Sequence, residues 1–167
     1  VSALLHAVAV VKAGVFSILM VVCYVFGPEF MNSSGSGKFL IWASTITLFL
    51  SSVIAIRKND IKARLAYSTV SQLSYIILGG AIATNYSLIA SVSNIMMHGV
   101  GKITLFFCAG AIYVSTKITK ITDLNGIGHK MPLTFIAFSI GALSIIGIPP
   151  LGGSWSKFYL LLGAAQS

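Results

Sequence analysis

Lys12, Lys102 and Lys157 each stand inside a stretch that is otherwise apolar. A lysine at the centre of a membrane helix costs about 2.5–3.5 kcal/mol on insertion scales, and such residues usually face a bundle interior or an aqueous cavity. His98 lies four residues before Lys102, so the two share one helical face. His6 adds a group to the first stretch, although Lys12, six residues on, faces elsewhere on an ideal helix. The chemistry open to such a set is proton exchange. Histidine titrates near neutrality, with a reference pKa of about 6.5, whereas lysine, near 10.4, releases protons at physiological pH only where its surroundings assist. For either histidine alone, a hydrogen-bonded packing role is an equal reading; the pattern is stronger than its members.

Two bland explanations compete for the lysines. In snorkelling, the aliphatic stem lies along the helix and the ammonium reaches the interface. Lys12 is too deep for this, about 15 Å from the nearer end of its span at 1.5 Å per residue. Lys102 is also deep, while Lys157 follows a break through which unwound backbone offers a route to water. The second explanation is a structural ion pair, but the only carboxylates, Glu29, Asp60 and Asp123, all lie in connections.

The elements that must carry these groups follow from composition. Hydrophobic residues make up 56% of the 167 and charged residues 8%, far below the roughly 25% charged share of soluble domains. A crossing needs about 20 mostly apolar residues. The apolar runs give a single partial membrane domain over 1–167, with spans at about 3–26, 39–56, 65–83, 88–115 and 133–165. The runs lack the alternation of barrel strands, so the expected class is all-α, a polytopic helix bundle. The last span is expected to be broken, because Pro149 and Pro150 remove consecutive backbone donors and Gly152 and Gly153 permit unusual backbone angles. Broken helices at membrane depth often mark ion sites. Ser68, Thr69, Ser71, Gln72 and Ser74 crowd the third span; packing between helices is the better reading for them, lining a wet path the other.

The net charge of +8 is a topology signal. The connections 57–64 and 117–130 hold seven Lys or Arg, against one in the other two, which puts both basic loops on the cytoplasmic side. Nucleic-acid binding would need a basic solvated face with groove-reading motifs, and neither is visible. Cys23 and Cys108 are isolated in apolar runs without metal or redox spacing. No cofactor, metal site or catalytic constellation is expected. The chain opens on Val1, with Lys12 interrupting the apolar stretch that follows, unlike a signal peptide; the expectation is a piece of a longer protein.

Four segments then carry a resemblance: VSALLHAVAVVKAG at 1–14, DIKARLAYSTVSQLSYI at 60–76, HGVGKITLFFCAGAIY at 98–113 and GIPPLGGSWSKFYLLLGA at 147–164. In colinear order, the chain resembles the antiporter-like membrane subunits shared by Mrp-type sodium/proton antiporters and respiratory complex I, most of all the D-type member of the Mrp set. The resemblance implies a fragment of a larger inverted-repeat fold, matching its eighth through twelfth helices. It implies that Lys12 is the lysine linking two half-channels, with His6 in the same region, that His98 and Lys102 lie on the polar axis of the eleventh helix, and that Lys157 is the lysine at the break in the twelfth. Asn94 departs from the many relatives that carry a histidine there. The family's glutamate and lysine of earlier helices have no counterpart in these 167 residues.

The expected function is a proton-conducting segment of a monovalent cation/proton antiporter subunit, in a bacterial inner membrane. Its expected partners are lipid, other membrane subunits, protons and Na+ or another monovalent cation. One rival is the equivalent proton-pumping subunit of a complex I-like NADH:quinone oxidoreductase; another is a non-conducting truncated scaffold.

Overall fold

Backbone polar groups in hydrocarbon must be satisfied within the segment that carries them, which leaves the helix as the local solution for these apolar runs. A computed structural model describes residues 10–166, Asn32 by its backbone alone, and it is all-α, with no strand among the described residues. Helix α1 (Val10–Met20) runs on through a π-helical turn, Val21–Phe26. The short α2 (Pro28–Ser33) follows, then α3 (Ser36–Arg57), α4 (Ile61–Ile82) and α5 (Asn85–Thr116). The last three are long and apolar enough to cross a membrane. A 3-10 turn (Ile121–Leu124) and α6 (Ile127–Lys130) lead to α7 (Pro132–Ile146) and α8 (Gly152–Ala165). The apolar pattern begins the first span at residue 3; its opening residues, His6 among them, lie outside the described residues.

Local signals set the helix ends. Asp60 caps α4, its carboxylate accepting from the Ala63 amide at 2.8 Å. Thr84 and Ser87 form a reciprocal capping box that starts α5. Arg64 donates to the carbonyls of Ala55 and Ile56 at 3.2 and 2.7 Å, closing the C-terminal end of α3. The basic connections meet: the Ile61 amide donates to Thr119 O at 3.0 Å and the Ile121 amide to Asn59 O at 2.8 Å. Both basic loops therefore lie at one end of the bundle.

Helix α5 is the central post. Its apolar half packs Leu105 and Ala109 against Ile61 and Leu65 of α4. The other half presents Ser87, Ser91, Asn94, His98 and Lys102 as one buried polar stripe. Helices α7 and α8 run antiparallel to it without reversing: Gly141 and Ile145 lie against Gly101, Gly152 against Met97, Ser156 against Asn94, and Gly163 against Ser87. The break between them is an interruption in one path. Gly147, at φ 91°, ends α7 in the left-handed region that favours glycine. Outside the bundle stand Phe39, Trp42, Ile46 and Phe49, an apolar surface suited to lipid or further helices.

Candidate functional site

Lys102 sits near the middle of α5 and is 0% exposed. Its ammonium donates to the Leu65 carbonyl at 2.8 Å and to the Ser68 hydroxyl. Neither acceptor is charged. The Leu65 carbonyl is a hub, because Ser68 Oγ and Thr69 Oγ1 also donate to it, at 3.0 and 2.9 Å. Back-bonding of this kind is what a serine and a threonine inside a helix do at i−3 and i−4. Here it gathers polar oxygen opposite a lysine. Hydrogen bonds to a charged group contribute roughly 1.5–3 kcal/mol, which offsets part of the burial of an unpaired ammonium.

His98, one turn before Lys102, is 3% exposed, and neither ring nitrogen has a hydrogen-bond partner among the described residues. Among the described residues, the charges that act on it electrostatically are those of Lys102 and Lys12. Lys12, half-buried on α1, brings its ammonium against Gly99, where a Cβ would collide with it. Gly99 therefore gives α1 its close approach. Three of the residues picked out by charge and depth, Lys12, His98 and Lys102, thus meet on one side of α5.

Lys157 is one turn into α8 and half-buried. Its ammonium donates to the carbonyls of Ile145 and Ile146, at 2.8 and 2.7 Å, the last turn of α7 left open by the break. The ring of Tyr75 on α4 lies 5.8 Å away. Pro149 and Pro150 separate the two half-helices, while Gly152 and Gly153 begin α8 and let it approach Met97 and the Ser144 carbonyl.

Two cavities border these groups. One of about 570 Å³ reaches from Ala55, Ile56 and Arg64 at the basic end past Ser68 and Lys102 to Ile145 and Ile146. The other, about 660 Å³, lies at the break, beside Pro149, Pro150, Trp155 and Lys157. The Ile145 and Ile146 carbonyls that hold Lys157 belong to residues of the first cavity's wall. The arrangement links buried ammonium groups, an imidazole and open space, which suits movement of protons between side chains and water. Among the described residues no group of three or more His, Cys, Asp or Glu could hold a metal ion.

Sequence reasoning named Ser68 only among the third span's hydroxyls, for packing or a wet path, without pairing it with Lys102, and it missed the Leu65 carbonyl, the role of Gly99 and the α7 carbonyls. The pairing could have been found: a deep lysine without a carboxylate needs neutral oxygen acceptors, and α4 is where the chain concentrates hydroxyls.

The whole chain, residues 1–167, matches the family model described as NADH:quinone oxidoreductase/Mrp antiporter, TM. NADH-quinone oxidoreductase subunit N of Desulforudis audaxviator (strain MP104C) is 39% identical over 126 residues, covering 75% of this chain and 25% of that protein. NAD(P)H-quinone oxidoreductase chain 5 of Synechocystis sp. is 36% identical over 177 residues, covering 100% of this chain and 25% of that protein. The chain spans about a quarter of the length of these curated relatives. Among solved structures, the Mrp complex from Dietzia sp. DQ12-45-1b is 30% identical over 97% of this chain and 17% of that chain, with a TM-score of 0.86. An archaeal membrane-bound sulfane sulfur reductase is 28% identical over 99% of this chain and 33% of that chain, with a TM-score of 0.87.

Proposed function

The chain belongs to the NADH:quinone oxidoreductase/Mrp antiporter transmembrane family, and from that membership we propose that it is the proton-conducting segment of a monovalent cation/proton antiporter subunit. Protons pass along Lys12, His98 and Lys102 to Lys157 at the helix break, through intervening water. One observation carries this reading: among the described residues, Lys102 is wholly buried and held only by neutral oxygens, beside a histidine whose ring nitrogens have no hydrogen-bond partner and near a second lysine. A scaffold gains nothing from three ionisable groups at that depth, where each is expensive to insert. His6, outside the described residues, is assigned to the same pathway by the family resemblance. The subunit works beside other membrane subunits in a bacterial inner membrane, with the loops at 57–64 and 117–130 in the cytoplasm and Na+ or a similar cation as the exchanged ion.

The test is cation/proton exchange in membrane vesicles carrying the intact protein. Lys12→Ala and Lys157→Ala are expected to abolish pH-dependent exchange while the complex still assembles; undiminished exchange in both would leave the scaffold. A second reading, a proton-pumping subunit of a quinone oxidoreductase, is favoured by the names of the curated relatives. Co-purification of the intact protein with quinone reductase activity would establish that reading in place of the first.

A further inference from the structure

We propose that Ser68 is the positioning residue of Lys102, a hydroxyl rotor that serves the lysine in both its charged and neutral forms. The inference rests on the proton-conducting reading above and adds to it a residue that the family resemblance left unassigned. The geometry is that of a two-faced partner. Ser68 Oγ accepts from the Lys102 ammonium and donates to the Leu65 carbonyl at 3.0 Å. Two ammonium protons are thus held, one by Ser68 and one by the Leu65 carbonyl. The third has no acceptor among the described residues, and both Ser68 and Lys102 border the 570 Å³ cavity, although Lys102 itself is 0% exposed as the side chains stand.

When a water molecule in that cavity takes the third proton, the N–H bond breaks, an O–H bond forms on the water, and Lys102 keeps a lone pair. A neutral amine needs a donor where the ammonium needed acceptors. A carbonyl cannot meet that need, but a hydroxyl can. Ser68 turns its O–H from the Leu65 carbonyl to the amine, and the carbonyl keeps the Thr69 hydroxyl at 2.9 Å. The Leu65 carbonyl and the Lys102 nitrogen each keep a partner in either state, which avoids the cost of leaving one of them unpaired. Thr69 is fixed to the Leu65 carbonyl and serves as the spare donor that frees Ser68.

Among the described residues, the charged and titratable groups around Lys102 are His98 on its own helix, Lys12 from α1 against Gly99, Arg64 from α4 at the cavity's basic end, and Lys157 from α8 behind the Ile145 and Ile146 carbonyls. Helices α3 and α7 line the cavity with Ala55, Ile56, Phe138, Ala142, Ile145 and Ile146, which do not titrate. Ser68 is therefore the one hydroxyl that touches the Lys102 nitrogen among the described residues.

The experiment measures proton flux against pH in proteoliposomes holding the intact complex, with Ser68→Ala, Ser68→Thr and Lys102→Ala prepared alongside. The expectation is that Ser68→Ala slows flux by about tenfold and displaces the pH profile, that Ser68→Thr restores both, and that Lys102→Ala is silent. A Ser68→Ala protein that keeps the wild-type pH profile, at full or reduced amplitude, while Lys102→Ala is silent would overturn the rotor and leave the conducting reading standing. Full flux in Lys102→Ala would overturn the conducting reading itself.

Discussion

Two helix ends open onto the same cavity, and each is closed by a cation. At the basic end Arg64 holds the Ala55 and Ile56 carbonyls of α3; inside the bundle Lys157 holds the Ile145 and Ile146 carbonyls of α7. The local task is the same, satisfying the orphan carbonyls of a last turn and complementing the negative end of the helix dipole. The side chains differ in one property. A guanidinium is never deprotonated in a protein, whereas an ammonium can release its proton when buried. The exposed end therefore carries a permanent clasp, and the end at the break carries one able to let go. On the conducting reading proposed above, arginine at the rim and lysine at the break separate structure from transport.

The comparison can be broken by exchanging the two cations. Lys157→Arg keeps the cap and removes the release, so proton flux in the intact protein should fall by about tenfold or more, with assembly judged by gel filtration unchanged. Gly99→Ala comes next. A methyl there meets the Lys12 ammonium, and displacing that group should slow flux by roughly threefold to tenfold, since small misplacement of a reacting group is costly. Arg64→Ala acts on stability instead. Because Arg64 lies at the bundle's rim, the loss should be near about 1 kcal/mol, seen as a drop of about 2–4 °C in the melting midpoint. Arg64→Lys should be smallest, with flux within about twofold of wild type, because an ammonium still reaches one carbonyl of that open end.

How much of this was legible from residues alone differs between the lysines and their partners. The bilayer's charge cost selected Lys12, Lys102 and Lys157 from the sequence, because an apolar solvent makes each charge conspicuous. The helices around them followed from apolar runs and caps such as Asp60 and Thr84. The partners were hidden. Acceptors for the ammonium groups are main-chain carbonyls of Leu65, Ile145 and Ile146, and a carbonyl has no sequence signature; whether it is available depends on packing and on where a helix stops. The α4 hydroxyls show the same limit. Ser71 does hydrogen-bond across helices, to Ser52 at 2.8 Å, as the packing reading held, yet Ser68 three residues earlier turns to Lys102. Only the rotation of α4 against α5 separates those two roles. Asn94, which departs from the resembled family's histidine, lies 3.5 Å from Ser156 Oγ across the α5–α8 contact.

The measurement that bears most directly on the conducting account is pH-driven proton uptake by dye-loaded proteoliposomes of the intact complex, wild type against Lys102→Ala. The account predicts uptake at the rate of protein-free liposomes for the variant, with the complex assembled in normal yield. Uptake at the wild-type rate without the Lys102 ammonium would contradict it.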